Sequence, residues 1–127
     1  MLLFGCTKTD PVLDYPGLHV SSEYGDTHRY VSPDPDVETI EKTVQSLDWS
    51  GFHQVFLVNN SGESIEVGGS LDPKDGLSSV YRYKEIYRVT KEPPKTVAEM
   101  LDILKSFYAE DGNWENMYEY ERVEYDT

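Results

Sequence analysis

Two amphipathic segments with helical spacing, on either side of a series of strand-like segments, constrain the fold of this chain most. Apolar residues recur at intervals of three and four in the first segment, which predicts a helix that ends near Asp48. A helix of three turns is marginal by itself in water, so it must bury its apolar stripe against another element. The chain therefore needs a sheet on which its helices can pack. The first stripe consists of Val37, Ile40, Val44 and Leu47.

Both predicted helices carry capping signals. Asp34 is the predicted N-cap of the first helix, with Pro35 in the first helical position. Thr96 and Glu99 have the spacing of a capping box at the start of the second helix, and Gly112 lies beyond its end. The apolar stripe of the second helix consists of Val97, Met100, Leu101, Leu104 and Phe107.

The remaining segments have the composition and alternation of strands. The nearly continuous apolar run His53–Val58 predicts a central strand, and the turn cluster at 59–62 joins it to the next strand as a hairpin. Gly68 and Gly69 suggest a bulge or a close approach of two backbones. The predicted strands span residues 18–22, 28–32, 53–58, 63–67, 78–83, 85–90 and 114–125.

The order of these elements predicts an α+β fold. We expect a mostly antiparallel sheet of about six to seven strands, with the two amphipathic helices packed on one face. An aromatic content of 13% in 127 residues is enough for a real core. We predict a single α+β domain over residues 18–127, preceded at residues 1–17 by a linker or the remnant of a lipoprotein signal.

The single cysteine, Cys6, excludes an internal disulfide framework. Residues 3–6, Leu-Phe-Gly-Cys, resemble a bacterial lipobox, which makes Cys6 a candidate lipidation site. Only about five residues precede it, fewer than a signal peptide requires. Two interpretations remain: a lipoprotein anchored in the bacterial envelope through Cys6, or, if Met1 is the true start, a cytoplasmic protein in which Cys6 is an ordinary apolar residue.

Sequence motifs for catalysis and metal binding are weak. His19 and His28 could face each other across the first hairpin and hold a metal together with an acid, but the short local spacing of a zinc site is missing. His53 is predicted to be a satisfied, half-buried side chain. We therefore expect no catalytic residues, no metal and no cofactor. A small hydrolase is the third possibility, and it requires His19, His28 and an acid to converge in a pocket.

The charge pattern is more informative. The chain has 24 acidic and 11 basic residues and a net charge of −13, which disfavours nucleic acid and anionic membranes and favours a basic protein partner. Residues 110–127 combine one arginine and seven acids with aromatic side chains. This segment predicts a partner-binding surface of Glu110, Asp111, Trp114, Glu115, Tyr118, Glu119, Tyr120 and Glu121.

The alternative for this segment is an edge strand whose acids face solvent. Trp114 would then pack on the second helix. The functional and the structural interpretation use the same residues and differ only in where the aromatic side chains point.

The order of the elements also resembles a known family. The pattern is carried by the helix opening at 34–37, the apolar strand at 55–58, the turn and strand at 60–69, the Tyr81 strand, the helix end at 106–108 and Trp114. Over residues 18–125 it resembles the immunity proteins of bacterial polymorphic toxin systems, in particular the small α+β family found beside deaminase-type toxins.

This resemblance implies a non-enzymatic protein that binds a cognate toxin and blocks its active site or substrate groove. A toxin that acts on nucleic acid is usually basic where phosphate binds, so it suits an acidic inhibitor. The alternative function, from the Cys6 motif, is a lipid-anchored envelope protein with a structural or binding role.

Overall fold

The structure is a computed structural model that describes residues 15–124. In these residues a seven-stranded sheet is combined with three α-helices and a short 3₁₀ turn at Glu23–Gly25. The elements in chain order are β1 (Gly17–Ser22), β2 (Thr27–Ser32), α1 (Val37–Ser46), β3 (His53–Val58), β4 (Ser64–Gly69), β5 (Leu77–Tyr83), β6 (Ile86–Thr90), α2 (Val97–Ala109), α3 (Trp114–Met117) and β7 (Tyr120–Arg122).

The sheet has the strand order β2-β1-β3-β4-β5-β6-β7, and all neighbouring strands are antiparallel. Leu57 in β3 lies opposite Leu18 in β1 and Ile65 in β4. Because side chains alternate between the two faces of a strand, this register puts one row of apolar residues on a single face. The predicted α+β class with a mostly antiparallel sheet is confirmed.

The core lies between this face and the helices. Ile40 of α1 and Met100, Ile103 and Leu104 of α2 are fully buried and belong to the same cluster as the apolar sheet residues. The Lys105 ammonium of α2 lies 2.8 Å from a carboxylate oxygen of Glu41 in α1, and this ion pair links the two helices. Within residues 15–124, no helix has the length and apolar character needed to cross a bilayer.

The N-cap of the first helix lies two residues later than predicted. Asp36, not Asp34, is the N-cap of α1, and its carboxylate accepts hydrogen bonds from the Thr39 amide at 2.8 Å and the Thr39 hydroxyl at 2.6 Å. Pro35 therefore lies before the helix rather than in its first turn. Asp36 is the N-cap because Thr39, three residues later, offers both its unpaired backbone amide and its side-chain hydroxyl to the Asp36 carboxylate.

The second helix begins as predicted. The Thr96 hydroxyl accepts a hydrogen bond from the Glu99 amide at 3.1 Å. The Glu99 carboxylate in turn accepts one from the Lys95 amide at 2.8 Å. The bond from the Lys95 amide, followed by one from the Tyr118 hydroxyl, lowers the pKa of Glu99 below its usual range.

The prediction of one strand over residues 114–125 is wrong. The segment forms α3 and then the short strand β7, while Tyr125 lies outside the described residues, as does Cys6. The helical turn arises because the Asp111 carboxylate accepts a hydrogen bond from the Asn113 amide at 2.9 Å, and the Ser106 hydroxyl accepts one from the Trp114 amide at 2.8 Å. The turn places the Trp114 ring against α2 and β5.

The expected close approach at the glycine pair is confirmed. Gly69 has a φ of +112°, and a Cβ at this position would lie 1.9 Å from the carbonyl oxygen of Gly76. Gly68 packs directly on the backbone of His53. Only glycine allows the loop between β4 and β5 to fold back this tightly.

We predict that Gly69→Ala lowers the free energy of unfolding by about 3 kcal/mol, because the methyl group meets both a strained φ and a backbone oxygen. Gly62→Ala is the matched control, since Gly62 has a φ of +89° but open space around its Cβ position. The control should lose only about 1 kcal/mol. Urea denaturation of the two variants measures this difference, and equal losses would contradict the steric explanation.

Candidate functional site

Trp114 belongs to the core rather than to an exposed binding surface. Its side chain is only 6% exposed. The indole stacks on Tyr81 with ring centroids 5.0 Å apart and meets the edges of Phe107 and Tyr120. This packing is the alternative arrangement considered for the C-terminal segment, and it removes Trp114 as an anchor for a partner.

The two predicted tyrosines also point inward. The Tyr120 hydroxyl donates to the Ser79 hydroxyl at 2.8 Å, and burial raises the pKa of Tyr120 to about 12. The Tyr118 hydroxyl donates to the Glu99 carboxylate at 2.6 Å, and burial followed by this bond raises the pKa of Tyr118. Both rings pack against the core cluster.

The acidic residues of the segment lie on the surface. Asp111 has a structural role, since the Ser106 hydroxyl and the Asn113 amide donate to its carboxylate and lower its pKa. Glu115 pairs with Arg88 and Glu119 with Lys91, each at 3.4 Å. Among the described residues, Glu110 and Glu121 are exposed and make no ion pair. That this segment contacts a partner stays a prediction, which now depends on its exposed carboxylates.

Glu110 borders a groove of about 200 Å³ between the β3–β4 turn and the end of α2. It occupies the C-cap position of α2 with a φ of +57°, where glycine is normally preferred. The exposed ring of Tyr108 also lines the groove. Pro16, Pro33, Asp34 and Val58 also line the groove.

A second surface, which the sequence did not predict, lies at one end of the sheet. Three loops meet there, residues 22–26, 48–53 and 70–76, and we call them the loop platform. Tyr24 is 70% exposed and Leu71 is 55% exposed, and both are held outward. The Tyr24 ring stacks on Phe52 with centroids 4.4 Å apart.

Hydrogen bonds join the three loops into one surface. The Leu71 amide donates to the Trp49 carbonyl at 2.8 Å. The Tyr24 hydroxyl donates to the Asp75 carboxylate at 3.1 Å, which raises the pKa of Tyr24. The Ser70 hydroxyl donates to the same carboxylate at 2.7 Å. The apolar side chains of the loop platform are therefore presented on an ordered surface.

The loop platform is strongly acidic. Hydrogen bonds from the Ser50 hydroxyl and amide lower the pKa of Asp48 and so favour its charged form. The three loops contain one lysine, Lys74, and no arginine, beside His53 at the end of the second loop. The five carboxylates of the platform are those of Glu23, Asp26, Asp48, Asp72 and Asp75.

Three of the four described non-glycine residues with a positive φ lie on these two surfaces, and the fourth is Lys84 in the turn between β5 and β6, with a φ of +54°. Glu23 and Tyr24 each have a φ of +55°, and Glu110 has one of +57°. The left-handed region costs a residue with a side chain about 1 to 2 kcal/mol. Sequence reasoning missed the loop platform because its residues come from three separate loops, although a tyrosine beside Gly25 in a short acidic loop was a usable signal.

The histidines are placed as follows. His19 and His28 do contact each other, with Nδ1 of His19 and Nε2 of His28 3.2 Å apart. His53 is half-buried and satisfied, as predicted, by the Ser22 hydroxyl at 2.7 Å and the Asp48 carbonyl at 2.9 Å. Within residues 15–124, no three His, Cys, Asp or Glu side chains converge as a metal site.

The contact between Ser22 and His53 has the geometry of a hydroxyl beside a base. The Asp48 carbonyl can only accept, so Nε2 of His53 carries a proton and Nδ1 accepts from the Ser22 hydroxyl. The two residues are also direct partners across β1 and β3. The bond thus closes the end of this strand pair and supports the base of the loop platform.

Compared with protein-family models, with curated proteins and with solved structures, the chain shows no match. The functional argument therefore depends on the surfaces described above.

We predict that Asp111→Asn destabilises the protein most near neutral pH. The pKa of Asp111 is lowered in the folded state, so its stabilising effect is present above the unfolded pKa of about 3.9 and is lost as the pH falls through the folded value. Urea unfolding at several pH values should show the gap between wild type and variant closing in acid.

Glu110→Gln is the control for Asp111→Asn, because Glu110 is a neighbouring exposed acid without a side-chain hydrogen bond among the described residues. It should leave the unfolding midpoint nearly unchanged at every pH. A gap for Asp111→Asn that stays constant down to strong acid would contradict the capping role.

Proposed function

We propose that this chain is a non-enzymatic immunity-type protein that binds and neutralises a cognate, basic bacterial toxin. The loop platform is its principal docking surface. The observation that carries this proposal is the pair of exposed side chains, Tyr24 and Leu71, on an ordered surface that also carries five carboxylates.

The chemistry of the loop platform fits a basic protein partner. Tyrosine is a frequent energetic anchor in protein interfaces, because it buries a large rigid ring and keeps a polar group at its tip. Carboxylates around the anchor accelerate the approach of a basic partner and exclude acidic ones. Strain at Glu23 and Tyr24 supports the same interpretation, since such backbone conformations cluster at ligand-binding sites.

The resemblance to immunity proteins supports a toxin as the partner. A toxin that acts on nucleic acid needs cations to bind phosphate, and the carboxylates of an inhibitor can occupy those cations. The net charge of −13 favours such an encounter over long distances. The protein then acts by covering the substrate groove.

The C-terminal acids have a secondary role in this proposal. Glu110, Glu115, Glu119 and Glu121 are exposed, whereas the aromatic residues beside them pack in the core. They steer the basic partner without anchoring it. Pairing with Arg88 and Lys91 screens two of the four carboxylates.

The first test replaces the anchor. A partner toxin, identified by co-purification from the source cells, is measured by surface plasmon resonance against wild type, Tyr24→Ala and Tyr108→Ala. Tyr24→Ala should speed dissociation about tenfold or more, because it removes an anchor that the partner would bury in the complex. Tyr108→Ala is the matched control, since Tyr108 is also an exposed tyrosine but lies on the groove.

Tyr108→Ala should change the dissociation rate less than about twofold. If Tyr108→Ala weakens the complex and Tyr24→Ala does not, the groove is the docking surface and the loop platform is not. Loss of toxin inhibition in parallel with loss of binding is expected for Tyr24→Ala.

The second test reverses charge on the C-terminal segment. The combined replacement of Glu115, Glu119 and Glu121 by lysine should slow association and reduce its dependence on salt, with little effect on dissociation. The lost ion pairs are exposed and contribute little to folding, which circular dichroism can check. Unchanged association kinetics at low salt would remove these residues from the interaction surface.

The alternative function, a lipid-anchored envelope protein with a structural or binding role, depends on Cys6, which lies outside the described residues. Labelling cells with an alkyne fatty acid tests it when the complete reading frame is expressed. A lipoprotein should incorporate the label, and Cys6→Ser should abolish it. Toxin neutralisation and lipid anchoring are compatible if the toxin acts in the envelope.

A further inference from the structure

A histidine pair lies on the face of the sheet opposite the helices. His19 in β1 is the register partner of Tyr30, and His28 in β2 is the partner of Ser21. His19 and His28 are therefore diagonal neighbours on the same face of the hairpin. The ring nitrogens Nδ1 of His19 and Nε2 of His28 lie 3.2 Å apart.

The tautomer of His19 follows from its second nitrogen. Nε2 of His19 lies 2.9 Å from the carbonyl oxygen of Tyr15, which can only accept a hydrogen bond. Nε2 therefore carries a proton, and in the neutral ring Nδ1 directs its lone pair at His28. A backbone carbonyl is one of the usual hydrogen-bond partners of the second nitrogen of a metal-binding histidine.

The two rings differ in their surroundings. His19 is only 1% exposed, and Tyr30 stacks on its face with centroids 4.4 Å apart, so its position is well defined. His28 is exposed and gives a metal ion access from solvent. The pair thus combines one fixed ligand with one accessible ligand.

We propose that His19 and His28 together form a binding site for a divalent transition metal ion, with Cu²⁺ preferred over Zn²⁺. Two imidazole nitrogens at about 2.0 to 2.1 Å from the ion are separated by about 2.9 Å in square-planar geometry, which Cu²⁺ favours, and by about 3.4 Å in tetrahedral geometry, which Zn²⁺ favours, and the observed 3.2 Å lies between these separations. The ion takes the place of the proton that the two rings share. Cu²⁺ binds nitrogen ligands more strongly than Zn²⁺ does.

Two protein ligands make this an open site. Within residues 15–124 no third His, Cys, Asp or Glu side chain joins the pair, which leaves coordination positions open to water or another ligand. The net charge of −13 raises the local concentration of cations and favours their capture. The site is therefore expected to exchange its ion readily rather than to hold it as a structural centre.

Isothermal titration of the full chain with Cu²⁺ and with Zn²⁺, in a buffer that does not chelate, tests the proposal. Wild type should show one saturable site, and His28→Gln should bind Cu²⁺ at least about tenfold more weakly because one of two ligands is lost. His53→Gln is the matched control, since His53 contacts Ser22 and Asp48 instead. It should keep the affinity of the wild type.

Histidine ring resonances give a second readout that does not depend on affinity alone. Zn²⁺ should shift the ring signals of His19 and His28 and leave those of His53 in place. Absence of saturable binding up to millimolar metal would overturn the proposal, as would equal binding by wild type and His28→Gln. None of these measurements needs the toxin, so the metal site and the proposed function fail or succeed separately.

Discussion

The rest of the structure depends on the burial of the α2 stripe against the apolar face of the sheet. Met100, Ile103 and Leu104 are fully buried there, together with Ile65 and Val67 of β4. Burial of each such side chain contributes about 1.5 to 3 kcal/mol, so this contact outweighs any single hydrogen bond in the protein. It also sets the position of α1, which packs beside α2, and of the turn that follows α2.

The same contact decides where binding surfaces can lie. The end of α2 brings Trp114 over Tyr81 and Phe107, so the aromatic residues of the C-terminal segment pack in the core while its carboxylates face solvent. Two strongly exposed apolar side chains, Tyr24 and Leu71, protrude elsewhere, on loops at one end of the sheet. Loops carry such side chains because a rigid sheet orders them without burying them.

Much of the fold could be predicted because local patterns and tertiary packing agree. The apolar run of β3, the hairpin turn after it and the capping box at Thr96 all occur as expected. The C-terminal segment could not be predicted in the same way. Its alternating Tyr118, Glu119 and Tyr120 have the period of a strand, whereas the preceding helical turn depends on Ser106, a residue in another element. Propensity is a weak guide where a distant partner determines the backbone.

The sequence by itself determined the α+β class, the central hairpin, the acidic charge and the facing positions of His19 and His28, because periodicity, turn residues and charge are local properties. Only the tertiary structure decided which aromatic residues are buried and which are exposed. It also decided that three distant loops share one acidic surface, and that the two histidine nitrogens lie 3.2 Å apart. Burial and proximity of these kinds depend on which faces of separate elements meet. The close packing of the whole core determines which faces those are.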